Sequence, residues 1–185
     1  MRSIKLAVAV VAVSGLLGCG GSQPSIYRVA MERVTLANTA ACFRAGQVPT
    51  TNPDETTNMV DEEQWVIWDG IDDVQYLEPG NIDYSLGQAE DISIGGEAIQ
   101  GGKVEDNTVF TTTRTRREST TEIYTTSATY TIEKLGKTLE GSLALSSACA
   151  GADCGGIPSC NVTLRFVGRK ISTDNLTVYD NSGGD

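Results

Sequence analysis

The sequence predicts an all-β fold, with an antiparallel meandering β-barrel as the first choice and a β-sandwich as the alternative. Several segments alternate apolar and polar residues with a period of two, which is the pattern of a half-buried strand. Short turn signals rich in glycine, proline and aspartate separate these segments. No segment has the apolar spacing of an amphipathic helix of useful length. Many short strands with hairpin connections indicate a barrel or a sandwich.

The first half of the domain predicts one long strand and several short ones. The long strand covers 26–36, and its apolar phase shifts between Met31 and Val34, which indicates a bulge or, alternatively, a short helix. Residues 46–63 are polar and contain prolines, so we expect a long loop there. Shorter strands follow, and glycine pairs predict turns or bulges around the last of them. These strands are 64–68, 73–77, 82–86, 91–94 and 97–100.

The second half of the domain predicts longer strands. Residues 107–117 are rich in β-branched side chains and are expected to be extended. Residues 122–134 and 137–147 alternate clearly and predict a hairpin joined by a short glycine turn. Residues 160–167 predict the last strand, because Val162, Leu164 and Phe166 fall on one face.

Threonine is concentrated in this region, with eleven copies between Thr108 and Thr131. Threonine suits a pleated strand and is disfavoured inside helices. We interpret the run as a solvent-exposed strand face, with a threonine-lined binding surface or glycan attachment as the alternative.

The first twenty residues have the layout of an export signal. Arg2 and Lys5 precede an aliphatic run over 6–13, which is too short to span a bilayer as a helix. Leu16, Leu17 and Gly18 then lead to Cys19. This stretch resembles the lipobox of bacterial lipoproteins, in which an aliphatic residue and a small residue precede a cysteine that becomes lipidated.

The lipobox resemblance implies cleavage after Gly18 and acylation, with palmitate among the acyl groups, on Cys19. In many bacterial lipoproteins, an aspartate directly after the lipidated cysteine retains the protein at the inner membrane. This chain has Gly20 at that position, so the resemblance implies the outer membrane, in either leaflet. The predicted organisation follows from this cleavage. It comprises a signal peptide over 1–18, a flexible tether over 19–25, one all-β domain over 26–180 and a disordered tail over 181–185.

The charge of the chain restricts its partners. The full sequence has 14 basic and 24 acidic residues and a net charge of −10. Loss of Arg2 and Lys5 with the leader makes the mature charge −12. Repulsion then opposes nucleic acid and anionic lipid headgroups, so nucleic acid is not an expected partner and the acyl group must supply the membrane anchoring.

Four cysteines remain after Cys19 is assigned to the lipid, and they predict two disulfides in an exported chain. In a closed barrel the first and last strands are neighbours, which favours Cys42 with Cys160 and leaves Cys149 with Cys154. The competing pairing joins Cys149 to Cys160 and Cys42 to Cys154. A zinc site is disfavoured because the spacing lacks a C-x2-C knuckle.

No catalytic, metal or cofactor site is predicted. The chain has no histidine, which excludes Ser-His-Asp and Cys-His catalysis. We therefore expect a non-enzymatic lipoprotein of the cell envelope with a structural or protein-binding β domain, whose partners are the membrane, through Cys19, and an envelope protein.

The alternative function is a carrier of a small hydrophobic ligand. The predicted barrel resembles lipocalins in strand number and tethering, although the sequence lacks their G-x-W signature near the first strand. A carrier would line an internal cavity with apolar side chains from the predicted strands. The candidates are Tyr124, Tyr130, Leu143 and Phe166. We expect Trp65 and Trp68 to lie in the core.

Overall fold

The computed structural model describes residues 24–49, 61–70, 74–80, 82–89, 91–94 and 97–171. These residues contain ten strands and one short helix, α1 (Leu36–Thr39), together with 3-10 turns at Ala40–Cys42 and Ala152–Cys154. The strands are β1 (Ser25–Met31), β2 (Asp61–Asp69), β3 (Gln75–Glu78), β4 (Ile82–Ser85), β5 (Asp91–Ile94), β6 (Ile99–Val104), β7 (Asn107–Arg117), β8 (Ile123–Leu135), β9 (Thr138–Ala150) and β10 (Cys160–Lys170).

Eight strands form a closed antiparallel barrel in the order β1-β10-β9-β8-β7-β6-β3-β2. Strand β1 closes the barrel because it pairs with both β2 and β10, so that Tyr27 lies opposite Trp65 on one side and Lys170 on the other. Neighbours in the barrel follow one another along the chain, apart from the closing pair β1 and β10 and from a separate β4–β5 hairpin inserted between β3 and β6. The predicted meandering barrel is therefore confirmed over the sandwich.

The alternation along each strand determines which side chains enter the barrel. In β10, Val162, Leu164 and Phe166 are buried, whereas Thr163 and Arg165 are exposed. Strand β8 follows the same rule with its own aromatic and aliphatic residues. Removing each large apolar side chain from water stabilises the fold by roughly 1.5–3 kcal/mol.

The β4–β5 hairpin covers the end of the barrel at which β1 finishes. Tyr84 of this hairpin belongs to the core cluster and donates a hydrogen bond from its hydroxyl to the sulfur of Met31 over 3.3 Å. The backbone amide of Gln88 donates to the carbonyl of Cys42 over 3.2 Å. At the other end of the barrel, the Tyr27 hydroxyl donates to the carbonyl of Gly136, in the β8–β9 turn, over 2.9 Å.

The first strand is shorter than predicted, because the chain leaves the sheet after Met31 and enters α1. Thr35 caps this helix: the amide of Asn38 donates to the Thr35 hydroxyl, and the Asn38 side-chain oxygen accepts from the Thr35 amide. Neither the predicted bulge nor the alternative helix lies at Glu32 and Arg33, since the short helix begins further on, at Leu36. The apolar phase shifts after Met31 because the strand ends there.

Two further predictions differ from the structure. Gly101 and Gly102 lie inside β6 rather than in the predicted turn or bulge, and Gly95 and Gly96 lie outside the described residues. Glycine is required at position 101 because a Cβ there would collide with the backbone of β7. Trp65 is fully buried, but Trp68 is half-buried and stacks on Tyr76 with ring centroids 5.4 Å apart. The period of two places these tryptophans on opposite faces of β2, so only Trp65 belongs to the core.

The favoured disulfide pairing is confirmed. Cys42 is bonded to Cys160, with Cα atoms 4.8 Å apart, and Cys149 to Cys154, with Cα atoms 5.6 Å apart. The competing pairing and the four-thiolate zinc site are therefore wrong. The first bond ties the segment after β1 to the start of β10, and the second closes the loop after β9.

The predicted signal peptide, Cys19, most of the tether and the carboxy-terminal tail lie outside the described residues. Within the described ranges, no helix is long and apolar enough to cross a membrane.

Candidate functional site

The structure brings three of the four candidate ligand residues together at the centre of the barrel. Tyr130 and Leu143 are 0% exposed and Phe166 is 1% exposed. The ring of Trp65 packs against two of them, with its centroid 5.2 Å from that of Tyr130 and 4.7 Å from that of Phe166. Side chains thus occupy the space that a carrier would need for its ligand.

Tyr124 lies apart from this cluster. It precedes Tyr130 by six residues on β8 and is close to the loop that joins β7 to β8. Its hydroxyl donates to the carboxylate of Glu122 over 2.7 Å. The guanidinium of Arg116 lies 5.3 Å from the centre of its ring, which is the geometry of a cation–π contact. These contacts hold Tyr124 at the rim of the barrel.

The centre of the barrel contains polar atoms that have no hydrogen-bond partner among the described residues. They include the indole nitrogen of Trp65 and the hydroxyl of Tyr130. Burial raises the pKa of Tyr130, and the negative charge of Glu63 raises it further. Tyr130 is therefore a neutral phenol over the whole physiological pH range.

A cleft opens where the barrel wall divides between β6 and β7. Strand β6 pairs with β7 from Gly101 to Val104, but Ile99 and Gln100 pair only with β3. The two strands separate beyond Gly101, and β5 borders the resulting gap. The cleft has a volume of about 240 Å³ and is lined by Ile92, Ser93, Ile94, Glu97, Ala98, Ile99, Gln100, Thr111, Thr112, Thr113, Arg114, Thr126, Ser127 and Ala128.

The cleft has an apolar floor and a polar rim. Ile92, Ile99 and Ala128 are buried, whereas Thr111 and Thr113 are exposed. This difference follows from the alternation of side chains along each strand. The cleft can therefore hold a narrow, partly apolar group while hydroxyl groups hydrogen-bond at its mouth.

Arg114 links the two sides of the cleft. One terminal nitrogen of its guanidinium (Nη1) donates to the backbone carbonyl of Ser93 in β5 over 3.3 Å. Arg114 and Glu97 are the charged residues in the lining. The lining has neither a pair of carboxylates nor a cysteine, and the ranges described here contain no group of three potential metal ligands in a binding arrangement.

The sequence indicated only some of the residues that line the cleft. Thr111, Thr112 and Thr113 belong to the threonine run for which a binding surface was the alternative interpretation. No pattern in the sequence indicated that Arg114 and the isoleucines of β5 would meet, because they adjoin the cleft through the insertion of the β4–β5 hairpin.

Comparison of the chain with protein-family models, curated proteins and solved structures finds no match. The candidate site is therefore interpreted from its own geometry and chemistry.

Proposed function

We propose that this protein is a non-enzymatic lipoprotein of the cell envelope, whose barrel is a protein-binding domain held at the outer membrane by lipid on Cys19. The observation that carries this proposal is the combination of a barrel interior filled by Trp65, Tyr130 and Phe166 with a cleft on the barrel wall. A filled interior leaves the outer surface as the place where a partner binds.

The resemblance of residues 16–19 to a lipobox supports the lipid anchor. Strand β1 begins at Ser25, so the tether between Cys19 and the barrel spans at most about 20 Å when fully extended. The described residues at this end of the barrel include the exposed apolar side chains of Val104, Leu135 and Ile171. Such side chains suit a surface that lies close to lipid headgroups.

The carrier hypothesis has less support. A site for a small hydrophobic ligand needs roughly 300–1,000 Å³ of enclosed space. Three of its four candidate residues, Tyr130, Leu143 and Phe166, are instead packed against other side chains in the core. The cleft is smaller than this range and opens on the barrel wall.

Metabolic labelling tests the anchor. The full chain, produced in a Gram-negative bacterium with radioactive palmitate, is expected to incorporate label and to fractionate with the outer membrane. Cys19→Ser should abolish both results, whereas Ser22→Ala, a control change in the tether, should preserve them. A mature chain that begins at another residue, or that lacks acyl mass on Cys19, contradicts the anchor.

Native mass spectrometry of the protein purified from its envelope tests the function of the barrel. The expected mass is that of the lipidated polypeptide, alone or with a bound protein. A co-purified hydrophobic small molecule would favour the carrier, and Phe166→Ala should then change the amount retained.

A further inference from the structure

One edge of β7 is open beside the cleft. Strand β7 pairs with β8 from Thr108 to Arg117, but it pairs with β6 only from Asn107 to Phe110. Within the part of the chain that the structure describes, no strand pairs with the other edge of β7 beyond Phe110. An open strand edge presents backbone donors and acceptors that can pair with another chain.

The hairpin geometry identifies which backbone groups face the cleft. Only Glu105 and Asp106 connect β6 to β7, so Val104 and Asn107 form the hydrogen-bonded pair next to the turn. Because alternate residues point their backbone groups to the same side, the amides and carbonyls of Thr113 and Thr115 face away from β8.

Strand β5 supplies the opposite side of the cleft. It pairs with β4 along one edge, and the carbonyl of Ser93 accepts the hydrogen bond from Arg114. A backbone acceptor of β5 is thus directed toward β7. The cleft therefore lies between two strand edges, with apolar side chains beneath it.

We propose that this cleft receives an extended peptide segment of a partner protein, which adds to the open edge of β7 as an extra strand. The inference rests on the protein-binding function proposed above and specifies the site and the chemistry of the partner. Backbone hydrogen bonds supply affinity in this mode of recognition, and pockets for alternate side chains supply specificity.

The lining determines which side chains the added strand carries. Its inward residues meet Ile92, Ile94 and Ala128, in a volume of about 240 Å³, so they are small and apolar, such as valine or alanine. Its outward residues lie beside Thr111 and Thr113, where polar groups are accommodated.

Charge favours an acidic strand over a second copy of this chain. Strand β7 carries Arg114, Arg116 and Arg117 and contains no acidic residue, although the whole chain has a net charge of −10. Arg116 forms a salt bridge with Glu118, directly after the strand, over 2.7 Å. Two such edges repel one another, and arginines at an edge suppress pairing with unrelated strands. A carboxylate on the outward face of the partner strand lies on the same side of β7 as Arg117 and gains attraction from it.

Amide hydrogen exchange of the chain carrying Cys19→Ser tests the proposal, with an acetylated hexapeptide of alternating valine and glutamate at about 1 mM as the probe. In the free protein, the amides of Thr113 and Thr115 should exchange faster than those of Thr112 and Arg114, which face β8. The peptide should slow exchange at Thr113 and Thr115 by about tenfold or more. A peptide N-methylated at the residues facing β7 should have no effect.

Two variants separate binding in the cleft from binding elsewhere. Thr112→Phe fills the cleft and should abolish the protection, whereas Thr163→Phe, with the same added bulk on the exposed face of β10, should preserve it. Arg117→Glu, a change on the same face of β7 as Thr111 and Thr113, should weaken binding of the glutamate peptide by about tenfold and strengthen binding of a valine–lysine peptide.

Unchanged exchange at Thr113 and Thr115 in the presence of the peptide, or protection that survives Thr112→Phe, would overturn the inference. That failure is distinguishable from failure of the proposed anchor. Acylation of Cys19 without peptide binding overturns strand addition alone, and peptide binding without acylation overturns the anchor alone.

Discussion

The indole ring of Trp65 meets the ring of Tyr130 edge-on, with centroids 5.2 Å apart and planes at 87°. Trp65 belongs to β2 and Tyr130 to β8, which lie four strands apart in an eight-stranded barrel and therefore on opposite sides of it. Their contact spans the interior, and Phe166 of β10 packs against the same indole. This contact across the barrel distinguishes a filled barrel from a carrier.

Truncation of Trp65 should be strongly destabilising. We expect Trp65→Ala to lower the free energy of unfolding by about 3–5 kcal/mol, because it removes the ring that joins opposite walls of the core. Trp68→Ala is the matched control: it removes a half-buried indole stacked on Tyr76 and should cost about 1 kcal/mol. Urea unfolding followed by circular dichroism measures both values, and equal costs would contradict a core centred on Trp65.

The two disulfides should differ in their contribution to stability. Cys42 and Cys160 are 118 residues apart, whereas Cys149 and Cys154 are 5 apart. In the chain-entropy account, replacing the first pair by alanine should cost about 5 kcal/mol, and replacing the second about 2 kcal/mol. Guanidinium unfolding of the two double variants tests this order, and a larger loss from the short loop would contradict it.

Tyr130 should make the fold sensitive to alkaline pH. Its pKa is raised by burial and by Glu63, so above pH 10 the unfolded chain releases the phenolic proton while the folded protein keeps it. The unfolded state then binds fewer protons, and stability falls by up to about 1.4 kcal/mol per pH unit. Tyr130→Phe should reduce this slope, which urea unfolding between pH 9 and pH 11 would measure.

At neutral pH, Tyr130→Phe should cost little or increase stability slightly, because the hydroxyl has no partner among the described residues. Tyr27→Phe is the comparison, since its hydroxyl donates to the carbonyl of Gly136 and its removal should cost about 1 kcal/mol. A larger loss from Tyr130→Phe than from Tyr27→Phe would show that the Tyr130 hydroxyl has a stabilising partner.

Gly141 should be intolerant of any side chain. A Cβ there would collide with the carbonyl of Thr131 and lie 2.6 Å from the ring of Phe166. Gly141→Ala should therefore cost about 1–3 kcal/mol through displacement of the neighbouring β8 backbone and of that ring. Gly136→Ala, in the β8–β9 turn where a Cβ meets no atom within 4 Å, should leave the melting temperature nearly unchanged. Similar melting temperatures for the two variants would contradict this packing.

The sequence was most informative where structure depends on neighbouring residues. The β8–β9 hairpin and the inward face of β10 follow from local alternation, and their predicted residues match the structure. The pairing of Cys42 with Cys160 required one further step, the closure of the barrel. The strand pattern left that step open, because it fits a sandwich as well as a barrel.

The sequence did not predict the cleft, because the cleft arises from pairings between strands that are distant along the chain. Gln100 lies opposite Tyr76 of β3 and not opposite a residue of β7, and no local pattern encodes that choice. The sequence also did not predict whether side chains fill the interior of the barrel. The alternation places Tyr130 and Phe166 inside the barrel, but only their approach to Trp65 determines whether space remains between them.

The pairing of β1 with β10 determines when the barrel can close during synthesis of the polypeptide. In a nascent chain that extends only to β9, one edge of β1 lacks the strand with which it pairs, and Trp65 lacks its contact with Phe166. Completion of the barrel must wait for residues 160–170, because they supply the strand that pairs with the open edge of β1.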